Sequence, residues 1–165
     1  MDFERSEDPS ELYFMKSEEK IEISLDGIIT STIVLLSRAI LSLIFMYSAF
    51  SKVIDWYGTR SALHNQVFPG WVADTLLYTL PVVELVTAIL LLGRRTFKLG
   101  LVASASLMVC FTVYVGWVMS GAFGRIPCSC GGLISTLGWP EHLLLNLVLV
   151  FISLLGLVLS KRTSV

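Results

Sequence analysis

Four long apolar runs dominate the chain and leave few folds open to it. They cover about residues 28–54, 71–93, 99–121 and 141–160. A helix crosses the hydrocarbon layer of a bilayer in roughly 20 residues, so each run is long enough to span it. Lipid offers no water to satisfy backbone groups, which leaves only helices or a closed barrel, and runs this continuous read as helices. The expected fold class is therefore an all-α membrane protein, a four-transmembrane-helix bundle. Composition agrees. Hydrophobic residues make up 55% and charged residues 15%, where an ordinary soluble domain carries about 25% charged residues. Mean hydropathy is +0.77. These values exclude a disordered chain and a disulfide-dense secreted scaffold. A net charge of −1 supplies no cationic field for nucleic acid, so the lipid bilayer is the first partner implied.

Charge separates the chain into two parts. Residues 1–26 hold nine of the thirteen carboxylates, from Asp2 to Asp26. They read as an acidic, polar N-terminal cytoplasmic tail, followed by a membrane domain over 27–162. Basic residues set the orientation. Arg5, Lys16 and Lys20 precede the first span, Arg94, Arg95 and Lys98 fill the second connection, and Lys161 and Arg162 follow the fourth. An even number of spans puts all eight on one side, against Lys52, Arg60 and Arg125 on the other. Both termini are therefore expected in the cytoplasm. Trp56, Trp71, Trp117 and Trp139 all fall at the opposite ends of the spans, where tryptophan favours the headgroup level. The connections 55–70 and 122–140 would then face an oxidising compartment such as the bacterial periplasm, with the chain in the bacterial inner membrane.

The second of those connections contains Gly124-Arg-Ile-Pro-Cys-Ser-Cys-Gly-Gly132. Cys128 and Cys130, one residue apart, can close a disulfide if the backbone bends. Gly131 and Gly132 permit unusual dihedrals and Pro127 fixes the approach. So small a ring gains little from loop closure and is readily reduced, which suits exchange better than structure. Arg125 is a candidate to favour the thiolate, and His142 a candidate base. A static loop staple is the competing reading. A metal site is not expected, because Cys128, Cys130, His142 and His64 match no zinc spacing. Cys110, mid-span, reads as a small hydrophobe.

Arg38 and Glu84 are the ionisable residues deepest in the apolar runs. Counted from the cytoplasmic ends of spans one and two at about 1.5 Å per residue, both lie about 14–15 Å deep. An unpaired charge there is costly, so a buried Arg38–Glu84 ion pair is expected. Pro81 should bend the second span. Lys52 reads as a snorkelling lysine at the end of the first span. His142 and Asn146, four apart, share a helix face.

Taken together, these residues resemble the MauE/DoxX type of redox-associated integral membrane protein. The resemblance covers about 28–160. It is carried by Met46-Tyr-Ser-Ala-Phe-Ser-Lys-Val-Ile-Asp55, Leu80-Pro-Val-Val-Glu84, Pro127-Cys-Ser-Cys-Gly-Gly-Leu133, Leu137-Gly-Trp139 and the His142…Asn146 pair. It implies a four-helix membrane bundle. MauE is associated with maturation of the disulfide-rich small subunit of methylamine dehydrogenase, alongside a thioredoxin-like partner. DoxX relatives are associated with quinone-linked oxidation of sulfur compounds. The function expected is thus that of a thiol–disulfide oxidoreductase serving periplasmic thioredoxin-like or disulfide-containing proteins through Cys128 and Cys130, with a membrane quinone as the candidate cofactor. The alternative is a non-catalytic membrane subunit of a larger envelope complex, its loop disulfide structural. A small-solute transporter using Arg38 and Glu84 is a third class, but no inverted repeat supports it.

Overall fold

The computed structural model describes residues 9–121 and 138–162. They form α1 (Pro9–Ile54), α2 (Trp56–His64), α3 (Gly70–Leu92), α4 (Phe97–Met119) and α5 (Trp139–Arg162), and among these described residues there is no strand. Four helices are long and apolar enough to cross a membrane, over Leu25–Ile54, Gly70–Leu92, Phe97–Met119 and Trp139–Lys161. The chain is a multi-pass membrane protein of all-α class.

Local chemistry sets the helix ends. Pro9 opens α1 at a position where a backbone N–H has no helical partner to lose. The helix then runs 46 residues, from inside the acidic segment to Ile54. Asp55 stops it and starts the next, its carboxylate accepting from the Gly58 N–H at 3.1 Å. At the end of α4, Gly121 takes φ 73°, the left-handed turn that glycine makes without strain.

Cross-helix bonds fix the topology. Arg38 meets the carbonyls of Leu91 and Leu92, Ser42 that of Ala88, and Ser48 the carboxylate of Glu84. Numbers rise on α1 as they fall on α3, so the pair is antiparallel. Ser104 bonds Ser153 at 2.8 Å, and Gly156 lies against Leu101 and Ser37, which sets α5 antiparallel to both α4 and α1. The four long helices thus run up-down-up-down. Buried small residues, among them Ser42, Ala88, Ser104 and Ser153, let the backbones approach, as membrane helices require when lipid is as apolar as a side chain. The Ser153 hydroxyl donates to Leu149 O at 2.8 Å, so Ser104 is the donor between the two serines. Around them pack Leu41, Phe45, Leu91, Leu101, Met108 and Leu149.

The outside of the bundle is apolar too. Leu43, Val82, Val113, Leu144 and Phe151 are exposed, and only 22–33% of the most apolar window of each span is buried. Lipid must cover the remainder. Trp56, Trp71, Trp117 and Trp139 lie at or near helix ends that the antiparallel order gathers at one end of the bundle, here called the tryptophan end.

Candidate functional site

Glu84 is the most deeply placed charge among the described residues, 3% exposed. Its partner is Lys52, whose ammonium lies 2.9 Å from Oε1 and 3.1 Å from Oε2. Ser48 completes the cluster. Its hydroxyl donates to Glu84 Oε1 at 2.9 Å and accepts from Lys52 Nζ at 2.6 Å. Ser48 and Lys52 are one turn apart on α1, so one face of that helix presents both to α3. Lys52 therefore does not snorkel into water. Its side chain is 14% exposed and is spent on Glu84.

This corrects the expected Arg38–Glu84 pair. Arg38 instead donates to the carbonyl oxygens of Leu91 at 2.9 Å and Leu92 at 3.1 Å, and its guanidinium sits 4.5 Å from the centre of the Phe97 ring. The physical reason is register. Depth counting assumes that the apolar runs begin at one level. The run on α1 starts at Leu25, well before the level at which α3 ends, so Arg38 stands beside the last turn of α3. Glu84 lies eight residues, about 12 Å, further in. Arg38 satisfies two of the carbonyls that any helix C-terminus leaves open, with its charge at the favourable pole of the dipole. Arg38→Ala should destabilise the bundle by about 1–2 kcal/mol, with Arg38→Lys losing less. In a double-mutant cycle with Glu84→Ala the losses should add, as for separated sites. Coupling between them would restore the direct pair.

Above Glu84, at the tryptophan end, the helices line a half-open cavity of about 430 Å³. Its described lining includes Ser48 and Lys52 from α1, Leu76 and Leu80 from α3, Cys110 and Tyr114 from α4, and His142 and Asn146 from α5. The registers already described put Ser48, Lys52, Tyr114, His142 and Asn146 at nearly one depth, a polar belt in apolar walls. Cys110, in the middle of the α4 span, is not covered by the other helices and lines this space. The His142 Nε2 atom is buried with no hydrogen-bond partner among the described residues.

Helix α2 closes one side. Thr59, Ala62 and Leu63 from α2 and Gln66 just beyond it face the cavity, and three contacts fasten the segment down. Tyr114 OH donates to Gln66 Oε1 at 2.7 Å, the Phe68 and Tyr114 rings are 6.0 Å apart, and His64 Nε2 lies 2.9 Å from Asp74 Oδ1. The apolar pattern gave no sign of α2. Its available signal was Asp55, a good N-cap followed by a helix-compatible stretch.

Of the residues expected to carry chemistry, the structure brings His142 to the cavity and takes Arg38 away from it. Cys128, Cys130 and Arg125 lie outside the described residues. The connection that holds them joins the end of α4 to the start of α5, both at the tryptophan end.

Residues 30–159 match the family model described as methylamine utilisation protein MauE. No curated protein matches the chain, and no solved structure matches it.

Proposed function

The chain belongs to the MauE family, and from that membership we propose a thiol–disulfide exchange role, performed by Cys128 and Cys130 on extracytoplasmic partners. The observation that carries the reading is the anchoring of the cysteine connection. Its flanks, Gly121 and Trp139, are fixed at the end of the bundle that holds the four tryptophans and the cavity. The basic count assigns the opposite end to the cytoplasm. The cysteines then face the periplasmic side of a bacterial inner membrane, with both termini inside. A cysteine introduced at Ser164 should escape impermeant thiol reagents in intact cells, and labelling there would reverse the orientation.

In the exchange, the thiolate of one cysteine attacks a partner disulfide. A mixed disulfide forms and the partner's other sulfur leaves as thiolate. The second cysteine attacks the mixed disulfide, leaving a Cys128–Cys130 disulfide and a partner dithiol, a transfer of two electrons and two protons. The reverse sequence oxidises a partner, and the redox poise of the compartment sets the direction. In that reverse direction Cys128 and Cys130 end as a dithiol, and a membrane quinone, reduced to hydroquinone as their disulfide re-forms, is the proposed electron acceptor. Arg125 and His142 are the proposed supports of the thiolate.

A single Cys128→Ser or Cys130→Ser substitution should trap a reductant-sensitive adduct through the thiol that remains, and the double substitution should trap none. The double variant should also lose function with its helical content and thermal midpoint unchanged. Retained function in the double variant would assign the chain to a non-catalytic subunit of a larger complex.

A further inference from the structure

We infer that the end of the bundle opposite the tryptophans holds a binding site for the headgroup of an anionic phospholipid, formed by Arg38, Arg94 and Arg95 around the turn between α3 and α4. The inference does not require Cys128 or Cys130 to exchange.

Depth comes first. α3 has 23 residues, about 35 Å of helix, against a hydrocarbon layer of about 30 Å. With Trp71 at one headgroup level, Leu92 and the turn 93–96 stand at the other. Arg94 and Arg95 are exposed there. Arg38 comes to the same level from α1, because it bonds the carbonyls of Leu91 and Leu92. Three guanidinium groups therefore meet in the plane of the lipid phosphates.

The described protein does not match their charge. Arg94 is close enough for its charge to act on Arg38, and none of the three arginines forms an ion pair with a described residue. Of the described carboxylates, Asp55, Asp74 and Glu141 lie at the tryptophan end and Glu84 is held by Lys52. Asp26 is twelve residues, about 18 Å, from Arg38 along α1. Lys98 and Lys161 bring further positive charge to this end. Like charges gathered at one level repel, and a bound anion relieves that repulsion.

The donor geometry selects phosphate. A guanidinium has five N–H donors, and Arg38 spends two of them on carbonyls. The Phe97 ring, 4.5 Å away, holds its plane. The remaining donors are thus presented in a fixed fork, which suits phosphate oxygens. A smaller contribution comes from α4. Thr96, at its N-cap position, makes no side-chain cap, and its hydroxyl donates to Leu90 O at 3.0 Å instead. The positive pole of α4 adds to the same field.

The surroundings favour a lipid over a soluble anion. Leu35, Leu92 and Leu99 are exposed. Leu35 lies one turn before Arg38, Leu92 carries one of the carbonyls that Arg38 bonds, and Leu99 lies one turn after Arg95. A phospholipid supplies the phosphate and the chains that cover these leucines in one molecule. A choline or ethanolamine headgroup would bring a cation among three arginines, so the ligand is an anionic lipid without an amine.

The test is native mass spectrometry of the full chain, released from micelles that contain equal amounts of phosphatidylglycerol and phosphatidylcholine with the same acyl chains. The expected result is a preference of roughly fivefold or more for phosphatidylglycerol among the retained lipids. Arg94→Gln/Arg95→Gln changes only exposed side chains. It should bring the ratio close to parity, with helical content and thermal midpoint in phosphatidylcholine micelles unchanged. Arg38→Gln should also lower the ratio. Lys20→Gln, eighteen residues or about 27 Å from Arg38 along α1, should leave it unchanged. Millimolar inorganic phosphate should not displace the lipid. The Cys128→Ser/Cys130→Ser chain should retain lipid as the wild type does, so failure of the thiol reading would leave this one standing. No preference in the wild type, an unchanged ratio in Arg94→Gln/Arg95→Gln, an equal fall in Lys20→Gln, or displacement by inorganic phosphate would each overturn the inference.

Discussion

Lys52→Ala should be the most damaging polar-to-alanine change in the bundle, and Glu84→Ala on top of it should return part of the loss. Glu84 is 3% exposed and held by two side chains, Lys52 and Ser48. Removing Lys52 leaves a carboxylate within the membrane span on a short stem that cannot reach the headgroups. Breaking a buried pair from one side costs about 3–5 kcal/mol, because the cost is the stranded charge and not the lost bond. The reverse change, Glu84→Ala, is milder. Lys52 stands two residues from the end of α1, and its four-carbon stem lets the ammonium turn outward to water once Glu84 has gone. Removing both charges leaves neither stranded, so the double variant should be more stable than Lys52→Ala. Equilibrium unfolding in mixed micelles, run as a double-mutant cycle, reads all four states. Simple additivity would mean that the two side chains do not share a bond in the membrane.

That pair shows how far the sequence could be read and where reading stopped. The spans were legible because lipid permits so little else, and the tryptophans marked one end of each. The kink residue Pro81 and the buried Glu84 were visible as oddities in an apolar run. Which cation met Glu84 was not legible, because that depends on register. Register between α1 and α3 is set by Ser42 under the Ala88 carbonyl and by Arg38 on the last turn of α3, contacts that no single run encodes. A signal was nevertheless present: Ser48 and Lys52 share a face one turn apart near the end of the first span, and Glu84 is the carboxylate set deepest in the spans. The cavity had no sequence signature at all. It is a gap left where side chains of several helices fail to meet, and of its lining only His142 and Asn146 show a shared face in their spacing. Helix α2 was missed because it buries little, Thr59 and Ala62 among its nine residues, and so lacks the apolar period that announces a helix.

Two glycines on α4 should respond in opposite ways to alanine. Helix propensity alone favours alanine over glycine by about 1 kcal/mol at either position. At Gly116 nothing lies within 4 Å of where a Cβ would stand, so propensity decides and Gly116→Ala should be neutral or stabilising by up to about 1 kcal/mol. At Gly100 the new carbon would stand 2.7 Å from the Leu91 amide nitrogen and 2.9 Å from the Leu90 carbonyl carbon. Both obstacles are backbone, so no side chain can swing aside, and α3 must move away from α4. Overpacking of this kind costs about 1–3 kcal/mol and outweighs the propensity gain. The displacement also reaches the last turn of α3, where Arg38 holds the carbonyls of Leu91 and Leu92 and stacks on Phe97. Gly100→Ala should therefore weaken the Arg38 cap as well, and its loss should be smaller in an Arg38→Ala background than in the wild type. Gly100→Leu, with three further carbons at the same contact, should not yield a stable bundle. Thermal midpoints of the purified chain and its variants decide the matter. A Gly100→Ala variant as stable as Gly116→Ala would mean that α3 and α4 do not approach this closely in the membrane.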